Sequence, residues 1–282
     1  MSDSALISKP NPQKPKDAKH GGELLPILSP TTVPDTICQK KFWTLRVLKR
    51  WPPRPPLSFS GFGKAFHAIM KGVYDPQDAP LPNMRDLDGL AKTAFWSTRY
   101  TDPAAREEDK ARCIRMVRGY VEQDDELDAL GTIAVEELGE FDFDRDGGIL
   151  FRLSARPDRL IVRTDEPAHL YVRDYKTSRP KIDLEEAAIS LWVAKLLYPD
   201  FKQYTMQFDW VDEGGRVDRD TIETCDVRGV LPRVMRRFLR ILDSPDHPAE
   251  PGEACFFCAL KPTCQPQQGQ ALDLSVDVFG ED

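Results

Sequence analysis

The sequence predicts an α/β fold in which a central mixed β-sheet is flanked by helices. Three observations predict it. Amphipathic helical periodicity in the first half gives way near residue 130 to runs of β-branched and aromatic residues. From there the order is strands, helix, strands, helix, the alternation expected of an α/β domain. The 282 residues, 40% hydrophobic and 30% charged, supply enough material for a buried core in one large domain or two small ones.

Residues 1–30 are rich in Pro, Lys, Ser and Gly with little periodicity and read as a disordered or loosely attached tail. Residues 28–35 read as a helix start. They lead into an apolar stripe of Ile37, Phe42, Leu45, Val47 and Leu48. Four prolines in residues 51–56 require an extended connector. A short helix over 60–72 carries Gly63-Lys64-Ala65-Phe66-His67, and two longer amphipathic helices follow at 84–100 and 103–125. Strands are expected at 132–137, 149–154, 156–163 and 169–176, with a turn at Asp144–Gly148 between the first two. Asp183-Leu184-Glu185-Glu186 opens a helix that Tyr198-Pro199-Asp200 ends near residue 197. Strands at 203–211 and 221–227 are joined through Glu213-Gly214-Gly215. A helix over 230–242, a proline-rich loop, a cysteine cluster and a polar, then acidic tail at 266–282 complete the chain. No internal repeat is visible.

Charge and targeting narrow the class. Met1–Lys19 lacks a signal-peptide core and no apolar run reaches bilayer length, so a cytoplasmic protein without a membrane partner is expected. The net charge is −7, yet residues 36–74 hold eight Lys/Arg and no Asp or Glu. These are Lys40, Lys41, Arg46, Lys49, Arg50, Arg54, Lys64 and Lys71. A second basic stretch follows Arg228, with Arg233, Arg236, Arg237 and Arg240 on the last helix. Clustered positive charge suits phosphate contact, and a solvated helix face would look the same.

The chemistry-bearing residues centre on Asp174-Tyr175-Lys176. On an extended chain Asp174 and Lys176 project from one face. Asp158, on a neighbouring strand, offers a second carboxylate, and Glu136 is a weaker candidate for the same place. Two carboxylates hold a hard divalent cation when substrate phosphate and water complete its shell. The lysine would stabilise negative charge on a phosphate or orient a water. His67 is either a structural histidine or a further ligand. Six cysteines argue against a disulfide framework in this compartment. Four are patterned: Cys255-x2-Cys258-x5-Cys264 near one end and Cys38 near the other. Sulfur ligation alone leaves zinc and iron–sulfur both open. Cys113 and Cys225 read as ordinary thiols.

Taken together, these residues resemble the PD-(D/E)XK nuclease superfamily, and within it the RecB-like exonuclease branch that carries an iron–sulfur cluster. That branch includes the AddB nuclease domain, CRISPR-associated RecB-like nucleases and phage exonuclease relatives. Residues 29–42, with Cys38 in Cys-Gln-Lys-Lys-Phe, are similar to the segment bearing the branch's first cluster cysteine. Gly63–His67 is similar to its Gly-x3-His motif. Arg156-Pro157-Asp158-Arg159-Leu160 is similar to its first metal-aspartate strand, and Asp174-Tyr175-Lys176-Thr177 to its Asp-x-Lys-Thr signature. Cys255, Cys258 and Cys264 match its C-terminal triplet.

The resemblance implies a restriction-endonuclease-like core over residues 31–265, with a helical insertion at about 84–125. A metal cluster would staple the helical N-terminal segment to the C-terminus. It implies Mg2+- or Mn2+-dependent exonuclease action on DNA, single-stranded or at ends, in recombination, repair or replication. Asp158, Asp174, His67 and the backbone carbonyl of Tyr175 would ligate the metal, and Lys176 would be the catalytic lysine. Cys38, Cys255, Cys258 and Cys264 would hold a [4Fe-4S] cluster, with zinc as the alternative. A helicase or recombination partner, or self-assembly, accompanies such domains. One departure stands out: the branch's Gln-x3-Tyr falls by position at Ala188 and Trp192. An alternative is therefore a catalytically decayed DNA-binding or assembly subunit of a nuclease–helicase or CRISPR adaptation complex.

Overall fold

The computed structural model describes residues 25–51, 60–77, 82–96, 100, 102–124, 130–145, 148–178, 182–256, 258–261 and 264. Residues 1–24 and 265–282, most of the two expected tails, lie outside them.

Strand β1 (Ile27–Leu28) pairs in parallel with the strand Gly148–Ala155, β4, and buries Leu28 completely. The helix start expected here is a 3-10 turn, Val33–Ile37, then the single turn α1 (Gln39–Phe42) and a π-helical turn Trp43–Val47. Asp35 organises it, accepting from Arg46 Nε at 2.6 Å and pairing with Lys41 at 2.8 Å. Three helices follow: α2 (Ser60–Tyr74), α3 (Leu87–Trp96) and α4 (Pro103–Gln123). Asp102 caps α4 by accepting from the Ala104 amide, and Pro103 takes a position where its missing N–H costs nothing.

Two sheets form. The smaller has the order β1-β4-β3, with β3 (Gly139–Arg145) antiparallel to β4 (Gly148–Ala155). Strand β3 was not expected, because acids alternate with Phe141 and Phe143. Glu140 and Asp142 are satisfied across the ladder by Arg152, while the phenylalanines face the core. The larger sheet runs β2 (Leu130–Val135), β5 (Arg159–Arg163), β6 (Glu166–Lys176), β7 (Gln203–Val211), β8 (Val217–Glu223). It is mixed: β6 and β7 are parallel and the other pairs antiparallel. A parallel pair needs a crossover, supplied by α5 (Leu184–Leu197). Strand β8 begins four residues earlier than expected, because the Asp212–Arg216 turn brings Val217 directly opposite Val211. Helix α6 (Val230–Asp243) closes the fold against α5.

Alternation along β6 and β7 sorts the two faces. Leu170, Val172, Met206 and Phe208 join α5, α6 and the small sheet in one core. Tyr175 and Val211 join the α2–α3–α4 layer in another. That second face also carries buried charge. Arg159 and Arg173 are cross-strand neighbours, an arrangement tolerable only with counter-charge. Asp124, just past the end of α4, lies 3.2 Å from Arg159 and 3.6 Å from Arg173. Asp209 takes Tyr120 at 2.6 Å, Arg219 at 2.6 Å and Arg173 at 3.4 Å.

Candidate active site

The site lies where β6 ends, at the seam between the two layers. Asp158 occupies the bend just before β5, not the strand itself. Its Oδ2 accepts the Tyr175 backbone N–H at 2.7 Å and its Oδ1 bonds His67 Nδ1 at 2.8 Å. The first contact fixes Asp158 beside the Asp174–Lys176 segment; the second ties α2 to the sheet. Lys176 Nζ lies 2.6 Å from Asp174 Oδ2 and 2.9 Å from Glu186 Oε1. His67, Asp158, Asp174 and Lys176, drawn from one helix and two strand ends, therefore meet at one place.

Its electrostatics are those of crowded acids. Burial, then the Asp158 charge, push the Asp174 carboxyl up to about 7 against the pull of Lys176. Burial alone would lower Lys176, but Asp174 and Glu186 outweigh it and raise its pKa, so the ammonium stays charged. Burial opposes the His67 cation as well, yet Asp158 raises its pKa overall.

A hard divalent cation suits this donor set. Two carboxylates repel each other in a partly dry site, and a positive ion between them relieves that cost. As they stand the side chains are paired with one another. Among the described residues no three of His, Cys, Asp and Glu are spread as a ready ligand set for one ion. Tyr175 contributes its amide to Asp158, while its ring is buried on the opposite face of the sheet. Glu136 follows β2 in a left-handed conformation (φ 44°) and pairs with Lys71 at 3.0 Å, one helical turn beyond His67.

Glu186 was not singled out from the sequence. It stands third after the Asp183 cap, whose Oδ1 accepts the amides of Glu185 and Glu186 at 2.9 and 3.3 Å. That pattern reads as a capping box, which hid its reach to Lys176. Ala188, where the resemblance places the helix glutamine, is packed into the core. Trp192 packs against Phe143 with ring centroids 5.3 Å apart. The helix residue that meets the site is Glu186, two positions earlier.

Residues 28–265 match the family model of the PD-(D/E)XK nuclease superfamily. The chain belongs to this superfamily. The superfamily's members are nucleases that usually use divalent metals such as Mg2+. No curated protein matches the chain. Solved structures similar to it include one from Eubacterium rectale described as a "Putative exonuclease", with 8% identity and a TM-score of 0.47 over 77% of this chain and 81% of that one. Another is SSO0001, with 13% identity and a TM-score of 0.34 over 75% of this chain and 89% of the other. At such scores neither likeness bears on function.

Two other sequence features converge. Cys38, Cys255, Cys258 and Cys264 line a single pocket with Lys40, Lys41 and Lys261, and all four are half-buried free thiols. The two basic stretches also adjoin. Phe238 of α6 packs edge-on against Phe42 at 5.3 Å, and Arg237 donates to Thr36 Oγ1 at 2.8 Å. Arg237 also holds Glu185 at 2.6 Å, the residue before Glu186. Arg233, Arg236 and Arg240 remain exposed on α6. No helix among the described residues is long and apolar enough to cross a membrane.

Proposed function

We propose that this protein is a RecB-like, divalent-metal-dependent DNA exonuclease. It hydrolyses phosphodiester bonds in single-stranded DNA or at DNA ends, in recombination, repair or replication. The observation that carries this reading is the meeting of Asp158, Asp174 and Lys176 at one seam, with Glu186 and His67 bracing them.

Asp158 and Asp174 would hold Mg2+ or Mn2+, joined by His67 and the Tyr175 carbonyl. When bound, the ion polarises the scissile phosphate and acidifies a water. The remaining work belongs to the chain. Lys176 keeps its charge at neutral pH and places it where a phosphorane gathers negative charge. Glu186 and Asp174 hold the ammonium from two sides, so little reorganisation is needed when substrate arrives. His67, bonded to one Asp158 oxygen, leaves the other fixed by the Tyr175 amide. The joined basic stretches offer the phosphate backbone a positive surface on an otherwise acidic chain.

We also propose that Cys38, Cys255, Cys258 and Cys264 hold a [4Fe-4S] cluster that staples the two ends of the domain. The four thiols line one pocket shared by the two ends of the domain, which is where such a staple would sit, and sulfur ligands suit an iron–sulfur cluster. Anaerobically purified protein should be brown and absorb near ~400 nm from sulfur-to-iron charge transfer. A colourless, zinc-loaded protein would reject the cluster.

The test of the main reading is digestion of end-labelled DNA by anaerobically prepared protein with each metal, beside Lys176→Ala and Asp174→Ala. Metal-dependent shortening that both variants abolish is the expected result. Undiminished cleavage by Lys176→Ala would sink the assignment. Salt-sensitive DNA binding without cleavage under either metal would instead identify a decayed DNA-binding subunit.

A further inference from the structure

Beside Lys176 is a cavity of about 460 Å3. Arg112, Thr177, Ser178, Trp210 and Arg216 line it together with Lys176. Its size falls in the range of small-molecule sites and suits one nucleotide unit. The β7–β8 turn that contributes to its lining lies directly against α4. Gly119 of α4 and Gly215 of the β7–β8 turn touch backbone to backbone. A Cβ on Gly119 would meet the Gly214 carbonyl oxygen at 2.3 Å, and one on Gly215 would meet Gly119 Cα at 2.6 Å. Gly215 also has φ 83°, a conformation glycine adopts without strain. Gln123 Nε2 adds a hydrogen bond to Gly215 O at 3.1 Å. Arg112, Gly119 and Gln123 are spaced seven and four residues apart, so one face of α4 carries all three.

The charges in this cavity are unevenly committed. Asp212 is occupied by the turn, its Oδ1 accepting the Gly214 and Arg216 amides at 2.9 Å each. Glu213 pairs with Arg112 at 2.9 Å, and Asp218 is also engaged. Arg112 lies over the Phe62 ring at 4.6 Å, and its buried Nε has no acceptor among the described residues. A buried guanidinium donor without a partner is costly. Arg216 is exposed and pairs with no carboxylate among the described residues. An unfilled buried donor and an uncommitted cation, both beside Lys176, call for an anion.

We infer that this cavity holds the nucleotide next to the scissile phosphate, with its own phosphate taken by Arg112 and Arg216. The inference rests on the nuclease reading and assigns that site the direction in which its strand continues. Arg216 is the contact that can be removed cleanly, because the turn holds its backbone and not its side chain.

The test measures binding of a 5′-fluorescein-labelled oligothymidylate by anisotropy across a salt series. It uses a Lys176→Ala background with manganese, so that the strand stays intact. Adding Arg216→Ala should weaken binding about tenfold, as for loss of a charged hydrogen bond. It should also flatten log K against log salt by about 0.7, the counterion release of one single-strand phosphate. Arg216→Lys should keep the slope. Arg118→Ala, an equal charge loss on the outer face of α4, should leave both quantities unchanged. An unaltered slope for Arg216→Ala, or the same effect from Arg118→Ala, would overturn the inference. If the parent chain binds but never cuts, the nuclease reading fails, and the slope comparison still decides the cavity.

Discussion

Lys176 stands between two carboxylates whose roles differ. Asp174 shares its strand and crowds Asp158; Glu186 comes from the start of the next helix and touches only the lysine's side of the site. Glu186 is therefore a positioning residue. Glu186→Ala frees Nζ to wander, and a displacement of about 1 Å at a reacting group costs roughly 100-fold. Single-turnover cleavage should slow by about that factor while the unfolding midpoint in urea moves little. Glu186→Gln, which can still accept from Nζ, should recover much of the rate. A rate unchanged by either substitution would remove Glu186 from the site. The motif residues themselves were legible. Asp174 and Lys176 share a face because strand side chains alternate, and two residues of spacing state that outright. Glu186 was not legible, since its place after Asp183 is already explained by helix capping.

At the scale of elements, the site depends on where helices begin and how closely they approach the sheet. Asp183 starts α5 one turn before Glu186 points at Lys176. Asp183→Ala should cost about 1 kcal/mol in chemical denaturation, as for other lost N-caps. It should also lower activity by loosening Glu186. At the other wall, Gly119→Ala drives a methyl into the Gly214 carbonyl, for which overpacking of roughly 1–3 kcal/mol is the expected loss. Helix periods and most strands could be read locally, including α5 to its cap. Strand β3 could not, because its acids look like turn residues until Arg152 stands opposite them. The start of β8 depended likewise on the turn before it, which sets register with β7.

For the whole molecule, the decisive contact is between the sheet and the α2–α3–α4 layer, where Arg159, Arg173, Asp124 and Asp209 are buried as partners. Asp209→Ala would leave Arg173 buried with less counter-charge, and breaking such a pair costs about 3–5 kcal/mol. The pH dependence has a definite sign. Burial alone would raise the Asp209 pKa, but Arg173, Arg219 and Tyr120 hold it below its ordinary value. A depressed carboxyl stabilises the fold above its unfolded pKa of about 4, and that contribution fades as pH falls below it. Urea midpoints should therefore drop on acidification below about pH 4, and Asp209→Asn should flatten that decline. A decline unchanged in the variant would remove Asp209 from the acid response. Cys38→Ala belongs to this scale too. If the cysteines hold a cluster across the chain's ends, losing one should bleach the protein and lower its melting temperature together.

The sequence by itself determined the alternation of helices and strands, the Asp-x-Lys pair and the positions of four patterned cysteines. Apart from Cys38, which stands at the other end of the chain from its three partners, all of these are set by neighbours a few residues apart. Tertiary structure alone decided that His67 bonds Asp158 across 91 residues, that Glu186 meets Lys176, and that Arg112 and Arg216 share a cavity beside it. Those relations depend on how layers pack and which glycines let backbones touch. Packing geometry of that kind is a property of the assembled sheet and helices, and no local spacing encodes it.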